Sequence, residues 1–347
     1  MNLSEKMKQD WNRRAQHHAR YWIATEDYRT EEVFARSGEA TAQTILKRTE
    51  NLSSPSWTVL DIGCGIGRVL KPLAPYFQKL VGVDVSSEMI DQSKLWLADH
   101  PHITTYATSG IDLQEFPNDY FDLVYSYVAF QHMPRPVFEN YLTEINRVLK
   151  PERYFLFQLP LGNFSDPPLE DTIGIRAYPI PEIVDKLRRN GFTFDGNDLL
   201  PSKLSAHTHD FLFTQKVQYP SLAQEQGKIS VEWIKLETCS QEFSPLDLHL
   251  YTTFAERSFS EGNNQEAIAT LQSVVRHNPH HLSGWLHLAN LLMETGQIEQ
   301  ALTTLQELTV LHPRYKEGHH TLHQLQTKLQ ISLGEQPRFR SLEKATV

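Results

Sequence analysis

The chain has 347 residues, with 33 Lys and Arg against 42 Asp and Glu, and a formal net charge of −9 at pH 7. The acidic balance argues against a nucleic-acid substrate, because surfaces that bind nucleic acids are normally basic. The length favours two domains, and the polar N-terminus, the two cysteines and the lack of an apolar run of about 18 residues predict a soluble, cytoplasmic protein with no membrane partner.

Residues 1–50 are predicted to be helical. Trp11, Ala15 and Ala19 recur at helical spacing, and a second periodic segment covers 31–49. The aromatic, uncharged run 21–24 lies between the two segments, which is unlike a free tail. Two interpretations stay open for this part of the chain: a helix packed on the edge of a sheet, or a lid that closes over a ligand site. We take residues 1–50 as an N-terminal helical lid.

A glycine-rich turn follows the first predicted strand. The apolar run 57–62 predicts a buried strand, and glycines stand at positions 63, 65 and 67 before the start of a helix. Glycines let backbone N–H groups approach a ligand closely, and a helix N-terminus favours negative groups. A second predicted strand, 79–84, ends at Asp84, which follows Gly65 by 19 residues. This interval brings an acidic side chain to a ribose diol beside a glycine turn, so the pattern predicts a nucleoside cofactor.

Strand and helix patterns continue to about residue 217. Further strands are predicted at 103–107, 121–128, 154–159, 192–194 and 211–216, and further helices at 89–98, 135–149 and 181–190.

Two motifs in this region resemble those of a known enzyme family. D-I-G-C-G-I-G at 61–67 resembles motif I of the class I S-adenosylmethionine-dependent methyltransferases, and F-D-L-V-Y-S-Y-V at 121–128 looks like their motif IV. The resemblance implies an α/β fold, a Rossmann-like, seven-stranded sheet with helices on both faces, closed by the last two strands as an antiparallel pair. It also implies S-adenosyl-L-methionine as the cofactor, with Asp61 facing its amino acid end.

The same resemblance assigns residues to the cofactor. Asp84 is expected to bind the ribose hydroxyls, Ile111 to supply a backbone donor to an adenine ring nitrogen, and Asp112 to accept a bond from the exocyclic amine. The expected cofactor-binding residues are Asp61, Gly63, Cys64, Gly65, Asp84, Val85, Met89, Ile111, Asp112 and Ser126.

His132 is the candidate catalytic residue. It follows the 121–128 strand, at the carboxyl end of the sheet where such folds bind ligands. An imidazole with a pKa near ~6.5 can take a proton at neutral pH, and the alternative is a histidine that only hydrogen-bonds its own loop. No metal is predicted, because H-x-H at 207–209 has no second cluster with ligand spacing. The expected substrate contacts are Tyr21, Tyr127, Gln131, Tyr178 and His209.

A repeat occupies the C-terminal part of the chain. Aligning 248–281 with 282–315 brings eight positions into register at a shift of 34 residues, among them Tyr251 with Trp285. This period resembles the tetratricopeptide repeat, which implies antiparallel helical hairpins. We therefore expect a methyltransferase domain, a linker and an all-α helical-hairpin repeat domain. The expected boundaries are 51–220, 221–247 and 248–335, respectively.

Three functions are consistent with this organisation. The leading hypothesis is methyl transfer to an O, N or C nucleophile of a small-molecule acceptor, such as a specialised metabolite. The second is a protein or peptide methyltransferase whose C-terminal repeats recruit the substrate. The third is an interaction scaffold with a catalytically silent cofactor domain, against which the intact acids and glycines argue.

The repeats raise the question of self-association. Two hairpins and a trailing helix are fewer than the roughly three units that stability usually requires. Leu322, Leu325 and Leu329 recur at helical spacing with no fourth hairpin to cover them. We expect this flank to close a homodimer, because self-complementary pairing is the commonest way to bury such a patch. Recruitment of a protein partner through the repeat groove is the alternative.

Overall fold

The computed structural model describes residues 1–25, 27–162, 165–193, 199–201, 208–215 and 245–334 of the chain. The chain divides into two units, Met1–Cys239 and Ser240–Val347. Most of the predicted linker, 221–244, lies outside the described residues.

Five parallel strands form the centre of the sheet in the first unit. They are β1 (Thr58–Ile62), β2 (Lys79–Asp84), β3 (Ile103–Ala107), β4 (Phe121–Ser126) and β5 (Leu149–Pro160). Their order is β3-β2-β1-β4-β5, and each neighbouring pair is parallel. The order reverses between β1 and β4, and ligands bind such sheets at the carboxyl ends of the strands where the order reverses.

Antiparallel strands extend the sheet beyond β5. They are β6 (Phe192–Thr193), β7 (Leu199–Pro201) and β8 (Thr208–Gln215). β8 pairs with β5, and both β6 and β7 pair with β8. The path β3-β2-β1-β4-β5-β8-β6 contains the seven predicted strands. The predicted count is wrong by one, since β7 is an eighth strand; three residues are too few to show a period of two in the sequence.

Helices cover both faces of the sheet, as the fold class predicts. They are α1 (Leu3–Ile23), α2 (Glu31–Thr49), α3 (Leu70–Leu73), α4 (Ser87–Trp96), α5 (Arg135–Val148) and α6 (Ile180–Arg189). Successive side chains of a strand point to opposite faces, so each strand supplies two cores. Leu60 and Ile62 of β1 pack with residues of α5 and α6, whereas Val59 packs with residues of α2, α3 and α4.

Helix α1 is packed against the rest of the first unit. Leu3 and Met7 join the core on the α5 face of the sheet. Ala15 and Ala19 pack with residues of the glycine turn and of α4. The helix is interrupted at His18, where φ is −170° and ψ is 78°. This break divides α1 into a long first part and a short last part, 19–23.

The second unit consists of helical hairpins, as the repeat predicts. Its described helices are α7 (Pro245–Ser260), α8 (Asn264–His277), α9 (Leu282–Glu294), α10 (Ile298–Leu311) and α11 (Lys316–Gly334). Gly262 and Gly296 stand at the turns of the two hairpins with positive φ values of 84° and 77°. Ala255 and Ala289, paired by the repeat, are both buried. None of the helices in the described ranges is long and apolar enough to cross a membrane.

The predicted exposed flank of the last helix is wrong. Leu325 is 5% exposed, and the partly buried Leu322 and Leu329 pack against the repeat core. Helix α11 lies against α10, so it covers the second hairpin as a terminal cap. The predicted homodimer thereby loses the surface on which it was based, and it stays a prediction.

Candidate active site

A pocket lies at the carboxyl ends of β1, β2 and β4. Its wall combines these strand ends with the glycine turn, the loop after β4 and helix α1. Several predicted site residues from separate parts of the sequence line it together. They are Asp61, Gly63, Cys64, Gly65, Asp84, Val85, Met89, Tyr127 and His132.

The glycine turn forms the floor of the pocket. Gly63 and Gly65 have positive φ values of 76° and 53°, which side chains other than glycine adopt only with strain. The Gly63 N–H donates to the carbonyl oxygen of Val83, at 2.8 Å, so the turn is fixed to the end of β2. A Cβ on Gly65 would lie 2.7 Å from Cδ1 of Ile23 in α1. Glycine is therefore required here both for the backbone angle and for the close approach of α1.

Asp84 is fixed at the edge of the pocket by main-chain donors. The Gly65 N–H donates to its Oδ2 at 2.9 Å, and the Ser86 N–H donates to its Oδ1 at 2.9 Å. Burial raises the pKa of Asp84 above its usual value, while these backbone bonds act in the opposite direction. The carboxylate thus couples the end of β2 to the glycine turn with little freedom to move.

Asp61 is a buried acid without an ion-pair partner among the described residues. It is 4% exposed, and the Tyr125 hydroxyl donates to its Oδ2 at 3.0 Å. Burial raises its pKa to about 7, although the Tyr125 bond and the nearby Arg68 cation lower it. A cation that enters the pocket lowers the pKa of such a carboxyl group and favours its ionised form.

The segment 108–112 contributes Gly110 to the pocket rather than the two residues predicted to contact adenine. The Ile111 N–H donates to Ser109 Oγ at 3.2 Å. The Asp112 carboxylate accepts bonds from Ser109 Oγ at 2.9 Å and from Gln114 Nε2 at 2.8 Å. The polar groups expected to meet adenine are thus engaged within their own turn, because Ser109 closes that turn.

His132 lines the pocket in a short 3-10 helix after β4. Its Nδ1 donates to the carbonyl oxygen of Ile173 at 2.7 Å, so in the neutral ring Nε2 is the acceptor, 3.0 Å from Gln131 Nε2. Burial lowers the pKa of His132 to about 4, and the cations Arg14 and Arg176 act in the same direction. The imidazole is therefore neutral at pH 7, and its expected pKa near ~6.5 is wrong because the ring is desolvated.

Helix α1 supplies the outer wall of the pocket. Met7, Trp11, Trp22 and Ile23 line it. Tyr21, the predicted contact in this segment, instead turns away; it is 2% exposed, with its ring edge-on to Trp22 at 5.2 Å. Neighbouring residues of a helix face different directions, and the uncharged run 21–24 could not show which of them meets the pocket.

The remaining predicted contacts lie elsewhere. Ser126 Oγ donates to the carbonyl oxygen of Ile62 at 2.8 Å, which ties β4 to β1. Gln131 does not line the pocket and contacts His132. Tyr178 is a core residue with 0% exposure, covered by Arg135 at 4.2 Å from its ring centre, because its strand-like backbone pairs with Leu161. His209 lies on β8, and its side chain is outside the described residues.

Sequence reasoning missed several pocket residues. The pocket also contains Arg68, directly after the glycine turn, and Met133, directly after His132. Arg68 occupies the position where a dinucleotide-binding turn would have its third glycine. The arginine in place of a glycine was the feature of the sequence that could have predicted a pocket role for the Arg68 side chain.

Two parts of the chain match known protein families. Residues 59–152 match the family described as "Methyltransferase domain", and residues 258–328 match the family described as "Tetratricopeptide repeat". The first match covers the strands and turns that build the pocket, and the second runs from the end of α7 into α11.

Individual proteins resemble the first unit. "Uncharacterized methyltransferase C70.08c" of Schizosaccharomyces pombe is 30% identical over 155 residues, which are 42% of this chain and 54% of that protein. "2-Methyl-6-phytyl-1,4-hydroquinone methyltransferase" of Synechocystis sp. is 35% identical over 137 residues, 36% of this chain and 42% of that protein. The chain thus spans about half the length of the curated relatives it matches. The structure of magnesium protoporphyrin IX methyltransferase (ChlM) from Synechocystis, with bound S-adenosylmethionine, has a TM-score of 0.47 at 15% identity, covering 62% of this chain and 98% of that one.

Proposed function

We propose that this chain, whose residues 59–152 form an S-adenosylmethionine-dependent methyltransferase domain, transfers a methyl group to a small-molecule acceptor bound beside His132. The observation that carries the proposal is the closure of the pocket by α1. Trp11, Trp22 and Ile23 share one pocket with the glycine turn and the two acids. An acceptor must therefore fit between α1 and the sheet, which suits a small molecule better than a side chain presented on a folded protein.

The residues of the pocket fit the cofactor of this family. S-adenosylmethionine carries a sulfonium and an ammonium, and the pocket offers the carboxylates of Asp61 and Asp84. A Cβ on Gly63 would lie 2.4 Å from Cβ of Ala129, and one on Gly65 would lie 2.7 Å from Cδ1 of Ile23, so only glycine lets the loop after β4 and α1 close around a nucleoside at this turn. We assign Asp84 to the ribose hydroxyls and Asp61 to the amino acid end. Bound there, S-adenosylmethionine supplies a methyl group that is already electrophilic.

The chain's own residues then have the task of alignment. Holding an acceptor atom in line with the methyl group supplies several kcal/mol through proximity alone. Met7, Trp11 and Met133 provide apolar surface against which an acceptor can pack. Burial against this surface favours binding of an acceptor with an extended apolar part. The relative from Synechocystis is named for such an acceptor, a phytyl-substituted hydroquinone.

His132 is assigned an orienting role. A base with a pKa of about 4 takes a proton poorly from a neutral hydroxyl at pH 7, because the transfer is strongly uphill. Both ring nitrogens of the neutral imidazole are already engaged, Nδ1 with the Ile173 carbonyl and Nε2 with Gln131 Nε2, so the side chain holds the loop after β4 in place at the pocket wall. This favours acceptors whose nucleophilic atom arrives deprotonated or loses its proton after the methyl group has moved.

Labelled cofactor tests the proposal. The full chain is incubated with methyl-labelled S-adenosylmethionine and with extract that has been separated by size into metabolite and protein fractions. We expect label to enter the metabolite fraction, and to do so far more slowly with Asp84→Ala. Absence of transfer to either fraction, although the cofactor binds, would contradict catalysis and favour a silent domain.

Label that enters only protein would instead support the rival function. The repeats at 258–328 favour a protein partner, because tetratricopeptide hairpins build concave binding surfaces. In that case removal of residues 245–347 should abolish labelling of protein. Under the small-molecule proposal, the truncated chain keeps its activity on the metabolite fraction, provided that its first unit remains folded by circular dichroism.

A further inference from the structure

Arg68 is a buried cation with no ion-pair partner in the ranges that the structure describes. It is 8% exposed and lines the pocket. Its Nη1 donates to the hydroxyls of Ser37 and Thr41 in α2, each at the long distance of 3.3 Å. Its Nε is buried and has no hydrogen-bond partner. Within the described part of the chain, no acid forms an ion pair with it; Asp61 and Asp27 lie near enough to raise its pKa, but burial, which lowers that pKa, has the larger effect.

Such an arrangement is unfavourable unless an anion completes it. A guanidinium stays protonated in proteins, so burial does not neutralise it, and a buried donor that is left unpaired costs about 1–3 kcal/mol. The cation is nevertheless accommodated by the fold: a Cβ on Gly38 of α2 would lie 2.2 Å from the carbonyl oxygen of Arg68. Residue 38 must be small for Arg68 to occupy its place.

The pocket surroundings identify which anion is suitable. Arg68 is near enough to Asp61 to lower the pKa of that carboxyl group, yet the two form no ion pair. A buried cation and a buried carboxyl group therefore line the same pocket without forming an ion pair. A zwitterion with an ammonium and a carboxylate on one carbon atom matches both charges at once.

We propose that Arg68 binds the α-carboxylate of the cofactor, so that Arg68 and Asp61 together recognise the amino acid end of S-adenosylmethionine. The inference rests on the proposed function, since it takes S-adenosylmethionine as the ligand. It adds a carboxylate-binding site that the predicted set of contacts lacks. Planar guanidinium groups suit this role because their parallel N–H donors match a carboxylate.

Calorimetry with two ligands tests the proposal on the full chain. S-adenosylmethionine is compared with its decarboxylated analogue, which keeps the ammonium, the sulfonium and the nucleoside. We expect the unmodified protein to bind the decarboxylated analogue about 10- to 100-fold more weakly, the range for a charge-assisted hydrogen bond. In Arg68→Met the two ligands should bind with affinities that agree within about threefold.

Controls separate this role from a structural one. Lys71→Met removes a cation from α3, directly after the glycine turn, and should keep the full preference for the carboxylate, because Lys71 does not line the pocket. Thermal unfolding without ligand should be no lower in Arg68→Met than in the unmodified chain, because the lost bonds are long. If Arg68→Met does not fold, Arg68→Lys decides by the same ratio, which should fall well below that of the unmodified protein.

The outcomes distinguish the inference from the function on which it rests. Failure of the unmodified protein to bind S-adenosylmethionine would overturn the proposed function. Binding of both ligands with equal affinity by the unmodified protein would overturn the carboxylate site while leaving the function intact. A folded Arg68 variant that retains the full preference would equally overturn the assignment to Arg68.

Discussion

Replacing Asp61 by asparagine should stabilise the ligand-free first unit while it weakens cofactor binding. Burial raises the pKa of Asp61 from 3.8 to about 7. At 1.36 kcal/mol for each pH unit, this corresponds to about 4 kcal/mol of lost free energy of unfolding once the group is ionised. Asparagine has no charge to desolvate, and its amide oxygen can still accept the Tyr125 hydroxyl bond.

The sign of the pH dependence follows from proton binding. Between the unfolded pKa and pH 7, the folded chain holds a proton on Asp61 that the unfolded chain has released. The stability contributed by this group is present below pH 3.8 and is lost as pH rises through about 7. The free energy of unfolding of Asp61→Asn, relative to that of the unmodified chain, should therefore increase by about 2–3 kcal/mol between pH 5 and pH 7.

Pulse proteolysis in urea, with the protected fragments identified by mass spectrometry, would measure this free energy for the first unit without interference from the repeats. Asp122→Asn is the matched control. Asp122 is also a buried acid, on the neighbouring strand β4, but it pairs with Lys150 at 2.7 Å and with Arg153 at 3.1 Å. Its replacement should destabilise the unit by about 1–3 kcal/mol.

A stability difference for Asp61→Asn that does not change with pH would refute the reasoning. So would a variant that is less stable than the unmodified chain at pH 7. Calorimetry at pH 7 supplies the second half of the test, since loss of the buried carboxylate should weaken S-adenosylmethionine binding by at least about tenfold. An unchanged affinity would remove Asp61 from the cofactor site.

Three further predictions concern single residues of the pocket. Asp84→Ala should weaken S-adenosylmethionine binding by about 1.5–3 kcal/mol, because a charge-assisted bond is lost; calorimetry on a folded variant with unchanged affinity would contradict the ribose assignment. His132→Gln should lower turnover without changing cofactor affinity. In the unmodified chain the rate should not fall between pH 8 and pH 5 through protonation of His132, since a group with a pKa of about 4 stays deprotonated there. A fall in rate near pH ~6.5 that the variant abolishes would instead support His132 as a general base. Gly65→Ala should weaken cofactor binding and lower the melting temperature more than Gly262→Ala, because both glycines have positive φ but only a Cβ at 65 meets Ile23, at 2.7 Å; equal effects on melting would contradict the steric argument.

The parts of the fold that could be predicted are those with long or repeated patterns. The strands β1, β2 and β4 are continuous apolar runs, and their acids stand at a spacing that fixes the ligand side of the sheet. The repeat was visible because the same side-chain types recur after 34 residues. The three-residue strand β7 carries no such pattern, and it forms only because β8 offers a free edge.

The site was harder to predict where the role of a residue depends on the direction in which its side chain points. The residues of the glycine turn and Asp84 are placed by the backbone itself, so sequence spacing is enough to locate them. Tyr21 and Tyr178 were predicted to contact the substrate, yet both side chains are buried away from the pocket. The lowered pKa of His132 depends on burial and on Arg14 and Arg176, which are distant in sequence and brought close only by folding.

The two buried aspartates Asp61 of β1 and Asp122 of β4 differ in how their charges are compensated. Asp122 has two cationic partners and a bond from the Thr58 N–H, so its charge is compensated within the chain. Among the residues that the structure describes, Asp61 has a single hydroxyl donor, and Arg68 lies nearby without pairing to it. A sequence selected for stability alone would join these two charges or remove both. Their separation leaves two unsatisfied charges at the glycine turn, and a ligand that carries both complementary charges recovers the free energy that each loses on burial.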